Sequence, residues 1–299
     1  MAQDLPNKEI QALVSLLDEP DLAVYQDISA NILRYGDKAM PYLEEELLTL
    51  KEEWLRQRIE SLIRAIHVES LAEGIGRCLD AGNPDELLEA WLLVSRFHYP
   101  DIRTEEIKKE ISSIRRNVWM EMNEHLTALE QIRVFNHVFY DIHSFHGNLE
   151  DYHDPDNSFI NRLLETRRGN PLSIGVLYLL VAQSLDIPVQ GINLPEHFVL
   201  AYMGDTADAQ NLGMRREVPV FYINAFSKGA VFSRNEINDF LAKIGMKPMP
   251  AFFRPCSQSD IIVRMLNNLV LAYEQTGDKG RKEGIIALRD GIKRHLPSK

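Results

Sequence analysis

The spacing of apolar residues changes along the chain. From about residue 7 to residue 123 it follows a helical period, and short turns with Gly, Pro, Asn or Asp separate the segments. Leu172 to Leu185 is apolar nearly all round, with Asn170 as N-cap and Pro171 at the first helical position, which predicts one central buried helix. Runs rich in Val, Ile, Phe and Tyr between residues 189 and 232 predict an antiparallel sheet, and helical spacing returns near the end.

The amino-terminal helical segment has the order of a repeat. In its second predicted helix, Val24, Ile28, Ile32 and Leu33 line one face, and Gly36 ends the helix. The segment begins with an apolar helix, a Pro-Asp turn and a second helix, and the pattern Gly-x-x-Ala-x-Pro-x-Leu follows. This order resembles HEAT-type repeats. An irregular helical bundle is the alternative.

Two apolar helices near the carboxyl end, separated by Gly277-Asp278, predict a helical hairpin. Their order resembles a single tetratricopeptide-type unit, although Gly284 stands where such repeats usually place Ala. One unit of this kind does not form a peptide-binding solenoid by itself. We therefore expect a predominantly helical α+β chain with a helical segment at 1–127, a core with a small antiparallel sheet at 128–250 and the hairpin at 251–299.

Composition places the chain among ordinary globular proteins. Its 299 residues are 45% apolar and 26% charged, with 16 Gly and 14 Pro, which excludes collagen-like, mucin-like and disulfide-stapled classes. The 33 Lys and Arg against 44 Asp and Glu leave a net charge of −11, so nucleic acid and anionic membrane surfaces are disfavoured as partners.

Cysteine usage and hydropathy indicate the compartment. Cys78 and Cys256 lie far apart, in no metal-binding or redox spacing, so we expect both to stay reduced. The segment from Met1 to Ile10 shows no apolar leader, and the longest uncharged apolar run, Gly175 to Ala182, is too short for a membrane span. These features predict a cytoplasmic protein.

The segment from residue 128 to residue 157 is rich in aromatic residues and histidine and is a candidate junction. Its histidines, with acidic residues nearby, suggest Zn²⁺ or Ni²⁺, because imidazole ligates both ions. The spacing does not provide a ligand pair with a third fixed ligand, since His143-x-x-His146 runs into the predicted turn Phe145 to Asn148. We predict no metal site, and we expect no cofactor because the sequence has no Gly-rich phosphate loop or dinucleotide fingerprint.

The most specific pattern runs from Phe135 to Phe198. In order it contains Phe145-x-Gly147-Asn148, Asp154-Pro155-x-Asn157-Ser158, Arg168-Gly169-Asn170-Pro171-Leu172-Ser173 and Pro195-Glu196-His197-Phe198. This order resembles the bacterial transglutaminase-like proteins of the Sir B type. The resemblance covers about the middle half of the chain and implies a transglutaminase-like, distantly papain-like core, with the helical segments as the family's usual neighbours.

The resemblance also implies where a catalytic site would lie. Active relatives of the wider superfamily place a Cys at the start of the central helix, a His at the start of a following strand and an Asp on the next strand. The helix start lowers the pKa of the thiol, the His takes its proton, and the acid fixes the His tautomer. These positions in this sequence are Ser173, His197 and Asn224, so the thiol and the acid are both replaced.

Two functions follow from this set of residues. Ser173 with His197 as base and Asn224 as orienting group would make an amide-bond hydrolase or acyltransferase, but a hydroxyl ionises far less readily than a thiol. Alternatively, Ser173 bonds the backbone as the third residue of the helix, His197 is a hydrogen-bonded strand residue, and the site is vestigial. We favour the second interpretation, a non-catalytic module that binds or regulates a protein partner.

Arg162, Arg167 and Arg168 form the clearest local basic cluster, directly before the central helix. The cluster is either a solvated helix face with Glu165 as an intrahelical partner, which we favour, or a contact for an anion or acidic peptide. It is the candidate binding site of the sequence.

Overall fold

The computed structural model of the protein describes residues 4–81, 84–205 and 217–295. Helices dominate these residues, and a four-stranded sheet and a two-stranded pair accompany them, which confirms the predominantly helical α+β class. Within the described residues no helix is long and apolar enough to cross a membrane.

The helices and strands follow one another along the chain as α1 (Asp4–Val14), α2 (Leu22–Tyr35), α3 (Met40–Thr49), α4 (Glu53–Ala81), α5 (Pro84–Arg96), α6 (Thr104–Glu121), α7 (Ala128–Asn136), β1 (His146–Gly147), α8 (Ile160–Thr166), β2 (Arg168–Gly169), α9 (Pro171–Gln183), β3 (Val189–Leu194), β4 (His197–Asp205), β5 (Glu217–Asn224), β6 (Ala230–Phe232), α10 (Arg234–Lys243), α11 (Gln258–Thr276) and α12 (Lys279–His295). A π-helical segment, His137–Ile142, follows α7, and a 3-10 turn, Pro155–Ser158, precedes α8.

The chain divides into two compact units. One consists of Met1–Arg77 together with Gly284–Lys299, and the other of Cys78–Glu283. The predicted segment boundaries after residues 127 and 250 both fall inside the second unit. The first unit is therefore discontinuous in sequence, because its residues come from both ends of the chain.

Helix α2 shows how the first unit buries its apolar residues. Ile28 and Ile32, four residues apart, are buried, whereas Val24 and Leu33 are 46% and 41% exposed. The buried face is therefore narrower than predicted. Gly36 ends the helix with a φ of 55°, as predicted. The apolar core of this unit consists of Ile10, Val14, Leu17, Ile28, Ile32, Ala39, Leu43, Leu55, Ile59, Leu62 and Ile66.

Helix α9 is the centre of the second unit. Every residue from Pro171 to Ala182 is buried, which agrees with its apolar character all round. The four-stranded sheet has the order β3-β4-β5-β6 and is antiparallel throughout, as predicted. Strand β3 pairs with β4 so that Leu194 lies opposite His197, which places His197 at the first residue of its strand.

The phenylalanines of the aromatic and histidine-rich segment lie in the core of the second unit. Phe135, Phe139, Phe145 and Tyr178 are all buried. The ring centroids of Phe135 and Tyr178 are 4.0 Å apart, and those of Phe139 and Phe145 are 4.6 Å apart. Our interpretation of this segment as a junction is therefore wrong, because its aromatic rings pack on the central helix instead of separating two bodies.

The predicted carboxyl-terminal helices are present as α11 and α12. Gly277, with a φ of 75°, ends α11. The two helices are divided between the units, because residues 284–295 belong to the first unit and α11 to the second. The likeness to HEAT and tetratricopeptide repeats stays a prediction.

The ring of Phe198 fills the space between α9 and β3. A methyl group at Gly175 of α9 would lie 2.7 Å from Phe198 Cδ1, and one at Gly191 of β3 would lie 2.8 Å from Phe198 Cζ. Both glycines therefore provide room for the ring, and the close approach of the helix to the sheet depends on them.

We expect Gly175→Ala to lower the free energy of unfolding by about 1–3 kcal/mol, because the new methyl group overpacks the Phe198 ring. The matched control is Gly280→Ala in α12, where the nearest atom to the new methyl group is 3.9 Å away. At that position the better helix propensity of Ala would raise the free energy of unfolding by up to about 1 kcal/mol. Urea denaturation of both variants measures the difference, and equal stability of the two would contradict the packing argument.

Candidate functional site

The start of α9 is closed by reciprocal hydrogen bonds between Asn170 and Ser173. The Ser173 backbone N–H donates to Asn170 Oδ1 at 2.9 Å, and the Asn170 backbone N–H donates to Ser173 Oγ at 3.0 Å. The Ser173 hydroxyl donates in turn to the Asn170 carbonyl oxygen at 3.2 Å. Ser173 is 1% exposed, so its hydroxyl is both buried and fully occupied.

Few backbone donors remain at this helix start to stabilise an oxyanion. Pro171 has no N–H, and the N–H of Ser173 is bonded to Asn170. The N–H of Ile174 donates to the Asn170 carbonyl oxygen at 3.1 Å. The N–H groups of Ser173 and Ile174, two of the donors that an oxyanion hole could use here, are therefore engaged within the helix itself.

The capping residues belong to a buried polar network. Asn170 Nδ2 donates to Ser158 Oγ at 2.9 Å, and the indole N–H of Trp91 donates to the Ser158 carbonyl oxygen at 2.8 Å. Asn148 Nδ2 donates to Asn157 Oδ1 at 2.9 Å. Much of the sequence pattern between Asn148 and Ser173 is explained by these bonds, because each buried polar group needs a partner.

His197 and Asn224 are brought together. His197 opens β4, and Asn224 ends β5 on the neighbouring strand, where its Oδ1 accepts the N–H groups of Phe226 and Ser227 at 3.1 and 3.2 Å. Burial lowers the pKa of His197, the hydrogen bond to Asn224 opposes this shift, and the charge of Arg264 adds to it. His197 is therefore favoured in its neutral form.

A cavity of about 280 Å³ opens beside the helix start. We call it the helix-start cavity, and its walls include Asn170, Pro171, Leu172, Phe198, Arg264 and Asn268. Of the described residues, neither Ser173 nor His197 lines it. Pro171, Leu172 and Phe198 are among the residues that a ligand in this cavity would contact.

The two cysteines lie elsewhere. Cys256 donates its backbone N–H to the Gly191 carbonyl oxygen at 2.9 Å and lines a second cavity together with Leu179 and Gln183, at the carboxyl-terminal end of α9. Cys78 is in α4. Of the described residues, neither thiol lines the helix-start cavity.

Each arginine of the predicted basic cluster is ion-paired. Arg162 Nε lies 3.0 Å from Asp156 Oδ2, Arg167 Nη2 lies 2.6 Å from Glu110 Oε1, and Arg168 Nη1 lies 2.7 Å from Glu150 Oε2. Arg162 also pairs with Glu165, as the solvated-face interpretation expects. Carboxylates of the chain itself already neutralise these guanidinium groups, which weakens them as an anion site.

The histidines between residues 137 and 153 do not converge. His137 Nδ1 lies 2.9 Å from Asp141 Oδ2, and His143 Nε2 lies 3.0 Å from Asn117 Nδ2. A metal ion needs at least three ligand atoms close together. Within the described ranges, one group of His, Cys, Asp or Glu side chains has three ligand atoms within 4.8 Å of one another, and it consists of Glu69, Glu73 and His295. Glu69 is already paired with Arg294 at 2.6 Å.

Sequence reasoning missed Arg264. It lies on α11 between buried Ile261 and Met265 and lines the helix-start cavity. Burial lowers the pKa of its guanidinium. The signal in the sequence is one arginine within the apolar stripe of a helix, and this signal does not reveal what the side chain faces.

The comparisons with known proteins identify the family. Residues 105–267, more than half of the chain, match the family described as the transglutaminase-like superfamily. The chain therefore belongs to this superfamily. No solved structure matches it.

Its relatives include bacterial and mammalian proteins. A UPF0162 protein of Xylella fastidiosa (strain 9a5c) is 27% identical over 197 residues, which are 64% of this chain and 66% of that protein. A UPF0162 protein of Vibrio cholerae is 27% identical over 170 residues, 57% of this chain and 58% of that protein. F-box only protein 21 of Mus musculus is 32% identical over 165 residues, 54% of this chain and 24% of that protein. The chain thus spans less than two thirds of each of these relatives.

We expect the stability of the protein to fall as the pH is lowered from about 7 to about 5, and His197→Gln to reduce that fall. The folded state lowers the pKa of His197 mainly through burial, so the unfolded chain binds the proton more readily. The neutral His197 ring therefore contributes to the free energy of unfolding at pH values above its unfolded pKa of about 6.5. This contribution is lost as the pH falls through 6.5 toward the lower pKa of the folded state.

Urea denaturation at several pH values measures this effect. The control is His125→Gln, because the His125 side chain is 88% exposed. An equal pH dependence in wild type and His197→Gln would show that the His197 ring is not held neutral by burial.

Proposed function

We propose that this chain is a non-catalytic transglutaminase-like protein of the Sir B type that acts in the cytoplasm as a protein-interaction or regulatory module. The observation behind this proposal is the closed helix start. The Ser173 hydroxyl is 1% exposed and makes both of its hydrogen bonds to Asn170. A nucleophile needs an oxygen that a base and a substrate can both reach, and this hydroxyl offers neither.

One observation favours the alternative, an amide-bond hydrolase or acyltransferase that uses Ser173 and His197. His197 and Asn224 interact, and in a working triad the third residue orients the imidazole in this way. Asn224 has no charge to stabilise an imidazolium, and its Oδ1 already accepts two backbone N–H groups. The pair therefore supports a structural role as well as it supports a catalytic one.

Chemical labelling tests the closed helix start. In Ser173→Cys the superfamily's thiol is restored, and we expect iodoacetamide to label residue 173 at least about tenfold more slowly than Cys78 and Cys256, which are both partly exposed. Mass spectrometry of peptides locates each label, and circular dichroism checks that the variant is folded. Fast labelling at residue 173 would mean that the site is open.

Turnover tests the enzyme directly. We expect the wild-type protein to leave model amide and glutamine peptides unchanged, and serine-directed probes to leave Ser173 unlabelled. Turnover that is reproducible and disappears in both Ser173→Ala and His197→Gln would overturn the non-catalytic proposal.

Partner capture tests the interaction role. Trp119 and Met120 at the end of α6 are 66% and 62% exposed, and exposed large apolar residues are frequent in protein contacts. We expect Trp119→Ser to lower the recovery of a specific partner in a pull-down, while Leu48→Ser, at an 87% exposed position of the first unit, leaves recovery unchanged. Failure to recover a partner under varied conditions would count against this role.

A further inference from the structure

The helix-start cavity is lined by an arginine, Arg264, that forms no ion pair with any described residue. Arg162, Arg167 and Arg168, in the same unit, each pair with a carboxylate of the chain. Arg264 is thus a partly desolvated guanidinium with no direct carboxylate partner among the described residues, and a ligand carboxylate would supply that partner.

Arg264 is held so that one side of its guanidinium stays available. Its Nη1 donates to Asn193 Oδ1 and to the Leu194 carbonyl oxygen at the end of β3. In the described part of the chain Nε and Nη2 have no hydrogen-bond partner. These two donors form the edge of a guanidinium that binds a carboxylate through two parallel hydrogen bonds.

The remaining lining defines the size and polarity of a ligand. At about 280 Å³ the cavity lies near the lower limit of small-molecule sites, so it has room for one short chemical group. Pro171, Leu172 and Phe198 provide apolar walls, and Asn268 provides an amide beside Arg264. A carboxylate attached to a short apolar body matches this arrangement.

The charged residues of the cavity favour a ligand with one negative charge over a ligand with two. Asp154 and Glu196 also line the cavity. Asp154 Oδ1 accepts the N–H of Asp156 at 2.9 Å, so this oxygen caps the 3-10 turn Pro155–Ser158 and does not bind Arg264. The carboxylates of Asp154 and Glu196 in the cavity wall would repel a phosphate dianion more strongly than a ligand with a single negative charge.

We propose that the helix-start cavity binds a carboxylate through Arg264, with the apolar part of the ligand against Pro171, Leu172 and Phe198. The carboxylate comes either from a free small acid or from the carboxyl terminus of a peptide. The inference deepens the proposed function and rests on it in one respect, since the ligand is held and not converted.

Titration calorimetry on the full chain tests the site with matched probes. N-acetyl-leucine provides a small carboxylate, a hexapeptide ending in leucine provides a peptide carboxylate, and the amidated form of each removes the charge. We expect at least one carboxylate form to bind at least about tenfold more tightly than its amide, because a charge-assisted pair is lost in the amide. Stronger binding by the small acid or by the peptide identifies the source. Equal binding of acid and amide, no binding of either acid, or tighter binding of inorganic phosphate would overturn the proposal.

Three variants tie binding to Arg264. Arg264→Gln is expected to weaken carboxylate binding at least about tenfold. Because Arg264 also holds the end of β3, Asn268→Asp provides a second test that leaves those contacts in place and puts a competing carboxylate in the cavity. Arg115→Gln is the matched control, since Arg115 donates to the Ser184 carbonyl oxygen at 3.0 Å and does not line this cavity. Wild-type affinity in both Arg264→Gln and Asn268→Asp would exclude the site.

The failure of this inference and that of the proposed function can be told apart. Chromatography of the ligand after incubation shows whether it is recovered unchanged. Conversion that depends on Ser173 would overturn the non-catalytic proposal while leaving Arg264-dependent binding intact. Loss of carboxylate binding with an inert Ser173 would overturn the carboxylate site alone.

Discussion

The reciprocal hydrogen bonds between Asn170 and Ser173 are the constraint on which the rest of the second unit depends. They fix the first turn of α9, a helix in which every residue from Pro171 to Ala182 is buried. A buried helix start has no water to satisfy its N–H groups, so side chains must do so. The same bonds occupy the Ser173 hydroxyl. One set of hydrogen bonds thereby supports the fold and is the observation behind the proposed non-catalytic role.

Much of this arrangement could be predicted from the sequence because the signals are local. Asn170 and Pro171 mark the helix start, the apolar run after them marks a buried helix, and the strand from Val189 to Leu194 has the predicted bounds. The pairing of His197 with Asn224 came from the family resemblance, and the structure brings these two side chains together.

Other features depend on contacts between residues distant in sequence, which spacing does not reveal. Trp91 bonds to Ser158 across 67 positions, and Phe135 and Phe139 of the histidine-rich segment are core residues because their rings meet Tyr178. The surroundings of Arg264 follow from α11 meeting the end of β3. A charged residue in an apolar helical stripe is visible in the sequence, but the lack of an ion pair to it among the described residues is a property of the fold.

The discontinuity of the first unit has a consequence for the order of synthesis. Its early residues, up to Arg77, share a unit with residues 284–295, where a methyl group at Gly291 would lie 2.8 Å from Ala72 Cβ and Arg294 pairs with Glu69. A ribosome releases the whole of Cys78–Glu283 before that closing segment emerges. The unit that begins first is thus completed last, and its apolar surface around Ala72 stays uncovered while the transglutaminase-like unit folds.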